Sequence, residues 1–202
     1  MTFPTTGILD NFNRTDANPL DGSWDNRFRT DSDLKIVSNQ LAASRAGYWC
    51  GGRYNAATYG ADCEVYASIP VAGNITLGAR MDADLSAPDG YYIQYDNSTH
   101  VLRIRRLANN VGTTLGADIG LTISDNDKLG MSVVGTTITA WRYTSGAWSE
   151  LGSRTDSTYS AAGYLSIEIY ETTIRIDDFG GGTVVTSAAV PVYMNQYRQR
   201  RK

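Results

Sequence analysis

Apolar and polar residues alternate with a period of two along most of this 202-residue chain. That is the pattern of strands with one buried face and one wet face, and hence of antiparallel sheets. Leu34, Ile36 and Leu41 mark an early hairpin around Ser38-Asn39. Cys63, Val65, Ala67 and Ile69 alternate with Glu64, Tyr66 and Ser68. Ile75, Leu77, Ala79 and Met81 alternate with Thr76, Gly78 and Arg80. Tyr91, Ile93 and Tyr95 follow, then a turn at Asp96–Ser98, then Leu102 and Ile104 against Arg103 and Arg105. Leu129, Met131 and Val133 lead into a turn at Gly135-Thr136, and Ile138 and Ala140 return from it. Leu165, Ile167 and Ile169 precede a turn at Glu171-Thr172, and Ile174 and Ile176 close the series. No stretch sustains the spacing i, i+3, i+4, i+7 of an amphipathic helix. About a dozen short strands separated by turn residues predict an all-β chain folded as an antiparallel two-sheet β-sandwich.

The two ends of the pattern match. Leu9-Asp10-Asn11-Phe12-Asn13-Arg14 runs on to Trp24, and Ile174-Arg175-Ile176-Asp177-Asp178-Phe179 precedes three glycines. Two short strands carrying Asp and Phe can lie side by side where a sandwich closes. This predicts one domain over residues 1–182, with Gly180–Gly182 as a hinge and residues 183–202 as a C-terminal arm.

Composition supports this division. The chain is 42% hydrophobic and 19% charged, which suits a packed domain rather than disorder. Arg far outnumbers Lys and Asp far outnumbers Glu; Asp favours turns where Glu favours helices. The net charge is −3, yet Arg198, Arg200, Arg201 and Lys202 close the chain with no acid after residue 190. An acidic body with a basic end suggests an anionic or interfacial partner for that end. Four charges are too few for strong nucleic-acid binding alone. The interleaved Tyr193, Met194 and Tyr197 favour an arm that anchors between subunits, either own copies or other proteins.

No apolar run approaches the ~18 residues that span a membrane. Residues 1–9 lack a basic start and a long apolar stretch, so synthesis without a secretory signal is expected. Cys50 and Cys63 flank an expected turn at Asn55–Gly60. They could face each other across a hairpin as a disulfide, or be two small buried hydrophobes. No P-loop, dinucleotide fingerprint or cysteine–histidine metal set is present, and no cofactor is expected.

Chemistry is sparse. The glutamates are Glu64, Glu150, Glu168 and Glu171. Glu168 and Glu171, three apart, fall on opposite strand faces unless a turn intervenes, which argues against a paired-carboxylate glycosidase. A lyase could use a Tyr or His base, and His100 beside the Tyr91–Tyr95 strand leaves that open. There are 13 Tyr and 4 Trp against 4 Phe, rings with a polar edge that suit rims and binding faces. Trp141 and Tyr143 oppose Ile138 and Ala140, and Arg103 and Arg105 oppose Leu102 and Ile104. These four, with Trp49 and Tyr92, form a candidate face for an acidic glycan or a protein partner. The alternative is that the rings fill a second packing layer.

The opening Asp10-x-Phe12-Asn13-Arg14 with Leu20 and Trp24, the hairpin Val133–Ile138 and the close Gly163–Phe179 resemble the concanavalin A-like lectin/glucanase family in its laminin-G-like form. The resemblance covers about residues 8–182 and implies a jelly-roll sandwich. It also implies the roles of the family: glycan-binding modules, adhesive units and structural proteins of tailed-phage virions. Relatives carry a structural calcium ion at Asp-rich loops, although no EF-hand-like spacing is present here. The chain is therefore expected to be a non-enzymatic virion component, made in the host cytoplasm and decorating a capsid or associated with a tail. Its expected partners are virion proteins or its own copies, with cell-surface or acidic polysaccharide as ligand. The alternatives are a polysaccharide-degrading enzyme and a cellular carbohydrate-binding module.

Overall fold

The computed structural model describes residues 3–185, and among these it contains sixteen strands and no helix. In chain order these are β1 (Ile8–Asp10), β2 (Trp24–Asn26), β3 (Leu34–Val37), β4 (Gln40–Ala43), β5 (Cys50–Tyr59), β6 (Cys63–Val71), β7 (Ile75–Met81) and β8 (Gly90–Asp96). Then come β9 (Val101–Ala108), β10 (Val111–Thr114), β11 (Ile119–Gly120), β12 (Asp127–Val134), β13 (Thr137–Thr144), β14 (Ala147–Thr155), β15 (Gly163–Ile169) and β16 (Arg175–Thr183). Sheet I has the order β14-β13-β12-β6-β16-β4-β3, with β1 added to β16. Sheet II has the order β10-β9-β8-β7-β15-β5-β2, with β11 added to β9. Every pairing is antiparallel. The predicted antiparallel sandwich is what forms.

The alternating apolar residues build the core between the sheets. Val65, Ala67 and Ile69 of β6 and Leu129, Met131 and Val133 of β12 meet Ile75, Leu77 and Ala79 of β7 and Leu165, Ile167 and Ile169 of β15. Each fully buried Leu or Ile stabilises the fold by roughly 1.5–3 kcal/mol. Ser38 and Asn39 both adopt positive φ, 52° and 60°, which closes the β3–β4 hairpin at the predicted turn.

The matched ends close the sandwich. Ile8 pairs with Gly180 and Asp10 with Phe179. Asp10 is the clasp: Oδ1 accepts from Phe12 N at 2.8 Å and from Arg14 at 2.7 Å, and Oδ2 accepts from Trp24 Nε1 at 2.8 Å. Trp24 packs against Phe179 at 4.9 Å between ring centroids. The opening motif therefore does structural work, joining the first strand to the last.

Several expectations change. Gly180–Gly182 lie inside β16 rather than at a hinge; Thr183 ends the strand, and Val184 N still donates to Asp62 O. The arm residues Tyr193, Met194, Tyr197, Arg198, Arg200 and Arg201 lie outside the described residues. Cys50 and Cys63 are free and buried. β5 runs on to Tyr59, so the turn falls later than expected, and Cys50 and Cys63 begin strands of opposite sheets. Burial pushes the Cys63 thiol up to about 11, which keeps it protonated and inert. β10 and β14 were not legible, because both lie toward sheet edges with mixed exposure and no apolar alternation.

Candidate functional site

Antiparallel order brings five strand ends together at one end of sheet II: the start of β5, the end of β15, the start of β7, the end of β8 and the start of β9. Side chains from these ends line an open cavity of about 390 Å³ formed by Trp49, Asn74, Gln94, Tyr95, Asp96, Ser98, Arg103 and Tyr170. Trp49 precedes β5 and Tyr170 follows β15, and the Cys50–Ile169 pairing sets the two rings side by side. Their centroids are 5.5 Å apart and their planes are tilted by 60°.

The polar wall is partly committed and partly free. Asn74 Oδ1 accepts from Asn97 N at 2.7 Å, and Gln94 Oε1 accepts from Arg105 at 2.7 Å. The amide NH2 groups of both have no acceptor among the described residues. Asp96 Oδ1 accepts from the Ser98 hydroxyl at 2.7 Å and from Ser98 N at 3.0 Å. These bonds, the hydroxyl first, hold the Asp96 carboxyl below the usual carboxylate range. Arg103 donates to Asp118 at 3.1 Å and lies 3.9 Å from Asp96 Oδ2. The Arg103 charge is thus balanced twice over. The cavity offers ring faces, amide donors and carboxylate acceptors, the chemistry that reads hydroxyl groups.

Of the predicted face, only Trp49 and Arg103 meet in this cavity. Tyr92 is a correction: it is 1% exposed, covered by Phe28 and by Arg29, whose guanidinium lies 4.6 Å from the ring centroid. Arg105 lies on the same face, bound to Gln94 and to Gly112 O. Trp141 and Tyr143 are on the other sheet altogether, and the expected open ring face is covered: Phe3 stacks on Trp141 at 4.9 Å with planes 3° apart. Tyr143 packs edge-on to Trp148 at 5.6 Å. Sequence reasoning missed Asn74, Gln94, Asp96, Ser98 and Tyr170 as site residues. Asp96 and Ser98 were legible as a turn, but their convergence with Tyr170 depends on non-local strand order.

The glutamates are dispersed. Glu64 Oε1 accepts from Thr5 and Thr6. Glu168 is buried against Arg29 at 2.8 Å. Glu171 accepts from Gly47 N at 3.3 Å, and Glu150 is exposed on β14. His100 lies at the β8–β9 turn, 3.4 Å from Tyr95 OH. Among the described residues no group of three or more His, Cys, Asp or Glu side chains is placed to hold a metal ion.

No protein-family model matches the chain, and no curated protein matches it in sequence. Solved structures do match. The carbohydrate binding module CBM66 from Bacillus subtilis aligns with a TM-score of 0.63 at 15% identity, over 79% of this chain and 95% of that one. The fold is a concanavalin A-like jelly roll. The VIP36 exoplasmic/lumenal domain in its Ca2+/Man-bound form aligns on this jelly roll with a TM-score of 0.62 at 10% identity, over 84% of this chain and 86% of that one. Bacillus licheniformis beta-glucanase aligns with a TM-score of 0.55 at 13% identity, over 90% and 100%. At these identities the likeness establishes the jelly roll and leaves its ligand to be argued from the site.

Proposed function

We propose that this jelly roll is a non-catalytic glycan-binding module and that the cavity at the end of sheet II takes a neutral sugar. The observation that carries this is the pairing of two half-buried rings, Trp49 and Tyr170, with unspent amide and carboxylate groups on Asn74, Gln94 and Asp96. Rings of this kind stack on the apolar face of a sugar, while amides and carboxylates hydrogen-bond its hydroxyls. The double pairing of Arg103 argues for a neutral sugar over the acidic one expected from sequence, because a ligand carboxylate would meet Asp96 and Asp118 around a single guanidinium.

Titration calorimetry against a panel of neutral and acidic polysaccharides tests this. Binding is expected to neutral members and to fall about tenfold or more in Trp49→Ala. Binding that survives Trp49→Ala unchanged would move the site elsewhere. Release of reducing ends or unsaturated products from the panel would overturn the non-catalytic part.

We also propose that the module works as a component of a phage particle, supported by the resemblance of its opening and closing motifs and by the basic end of the chain. Mass spectrometry of purified virions from the source is the test, and absence of the chain from them would refute it.

A further inference from the structure

The segment before β1 lies across the outer face of sheet I like a bound peptide. Phe3 is 6% exposed. Its ring stacks on Trp141 and meets Trp148 edge-on at 4.8 Å and Tyr66 at 6.3 Å. Gly130 of β12 forms the floor, where a Cβ would collide with the Phe3 ring. Next along the segment, Glu64 Oε1 accepts four hydrogen bonds: from Thr5 N at 2.6 Å, Thr6 N at 2.7 Å, Thr6 Oγ1 at 2.7 Å and Thr5 Oγ1 at 3.2 Å. Tyr66 OH donates to Thr6 O at 3.0 Å, and Gly181 N donates to Gly7 O at 3.1 Å. A ring pocket, a buried acceptor and a line of backbone bonds are the parts of a peptide-recognition groove.

We propose that this face of sheet I is a peptide-acceptor groove and that residues 3–7 of a second copy can fill it, linking one copy to the next. Every contact above is between residues 3–7 and the sheet, so a segment arriving from a second copy would make the same set. Exchange therefore keeps every contact of the groove and gives up at most the Ile8–Gly180 pairing beside it, and the choice between self-docking and linking rests largely on effective concentration. The pairing to be opened is short: Ile8 with Gly180, set off from Asp10 by a register shift, while the Asp10 clasp to Phe12, Arg14 and Trp24 stays closed. Dilute protein is expected to keep its own segment, and crowded or arrayed copies to exchange.

Two complementary variants test this. Gly130→Ala blocks the ring pocket but keeps the segment, which makes a donor. Deletion of residues 1–7 keeps the groove but removes the segment, which makes an acceptor. Each alone is expected to be monomeric by light scattering, and their mixture to form a one-to-one dimer. A mixture that stays monomeric would overturn the linking of copies. If the deletion does not fold, full-length Phe3→Ala serves as the acceptor. A synthetic peptide of residues 1–8 should then bind it saturably, read by Trp141 and Trp148 fluorescence, and a peptide carrying Phe3→Ala should bind about tenfold more weakly or worse. Equal binding of the two peptides, or none, would overturn the groove itself.

Discussion

The outer faces of the two sheets are both roofed by the chain itself, but with different chemistry. On sheet I the roof is residues 3–7, held by a ring stack and by hydrogen bonds that converge on Glu64. On sheet II it is the turn after β2. There Arg27 and Arg29 adopt positive φ, 60° and 61°, and this presses Phe28 onto Gly51, where a Cβ would collide with the Phe28 carbonyl. Arg29 then reaches down to Glu168 and over Tyr92. The sheet I roof supplies donors to the acceptor it buries. The sheet II roof buries an ion pair and leaves Thr76 Oγ1 and Ser166 Oγ without hydrogen-bond partners. A roof of rings and hydrogen bonds suits a docking surface, whereas a roof that neutralises a buried charge must stay in place. The cavity between Trp49 and Tyr170 opens on the same sheet, with Gln94 and Arg103 in its wall.

The largest effect should come from breaking the charged roof. Arg29→Ala leaves Glu168 buried without its partner, which costs about 3–5 kcal/mol. Burial pushes the Glu168 carboxyl above its ordinary range, and Arg29 opposes that. A carboxyl raised in the folded state adds stability while protonated, below its unfolded value of about 4.3, and that contribution is lost as pH rises through the folded value. Removing Arg29 lifts the folded value further, so the deficit should be smallest in acid and grow toward neutrality. Urea unfolding at several pH values measures this. A deficit that stays constant with pH would mean that Arg29 acts by packing alone.

On sheet I the matching break is Phe3→Ala, expected to cost about 3 kcal/mol through the emptied ring pocket. Trp141 and Trp148 should become more exposed, which a red shift in tryptophan emission would report. An unchanged emission maximum would mean that Phe3 does not cover these rings. The same residue shows where sequence reading stops. Alternation correctly sets Trp141 opposite Ala140 and Tyr92 opposite Ile93, because face is a local property of a strand. Whether an outward side chain meets water depends on what crosses above it. Residue 3 lies far from Trp141 in sequence, as does Arg29 from Tyr92, and no local pattern encodes those meetings. The β3–β4 hairpin and the pairing of the first strand with the last were legible because a turn pair and a matched pair of ends carry their own signals; the Asp10 hydrogen bonds that clasp the ends were not.

A smaller effect, of opposite sign, separates the two roofs at the level of single atoms. Thr76 sits beside Glu168 in register, fully enclosed with its hydroxyl unpartnered. Thr76→Val keeps the shape and removes the orphaned group, so it should raise stability by about 1 kcal/mol. Calorimetric melting would measure it, and a loss of stability would show that the hydroxyl is satisfied in solution.

The smallest expected effect is none, and it sharpens the contrast within sheet II. Glu168 under the roof and Asp96 at the open end lie on the same sheet, yet their carboxyls move in opposite directions. Burial dominates the first. At the second, the Ser98 hydroxyl and the backbone of the turn donate to an accessible carboxylate, and they favour its charged form. Asp96 should therefore remain a hydroxyl acceptor well into acid. Affinity for a neutral glycan is expected to stay level from about pH 8 down to about pH 5, above the ordinary aspartate value near 3.9. Ser98→Ala removes the hydroxyl donor, so the carboxyl should return toward that ordinary value and the acid limb of the binding profile should move to higher pH. If the limb does not move in Ser98→Ala, Asp96 is not the group that reads the sugar, and the weight of recognition passes to Asn74 and Gln94.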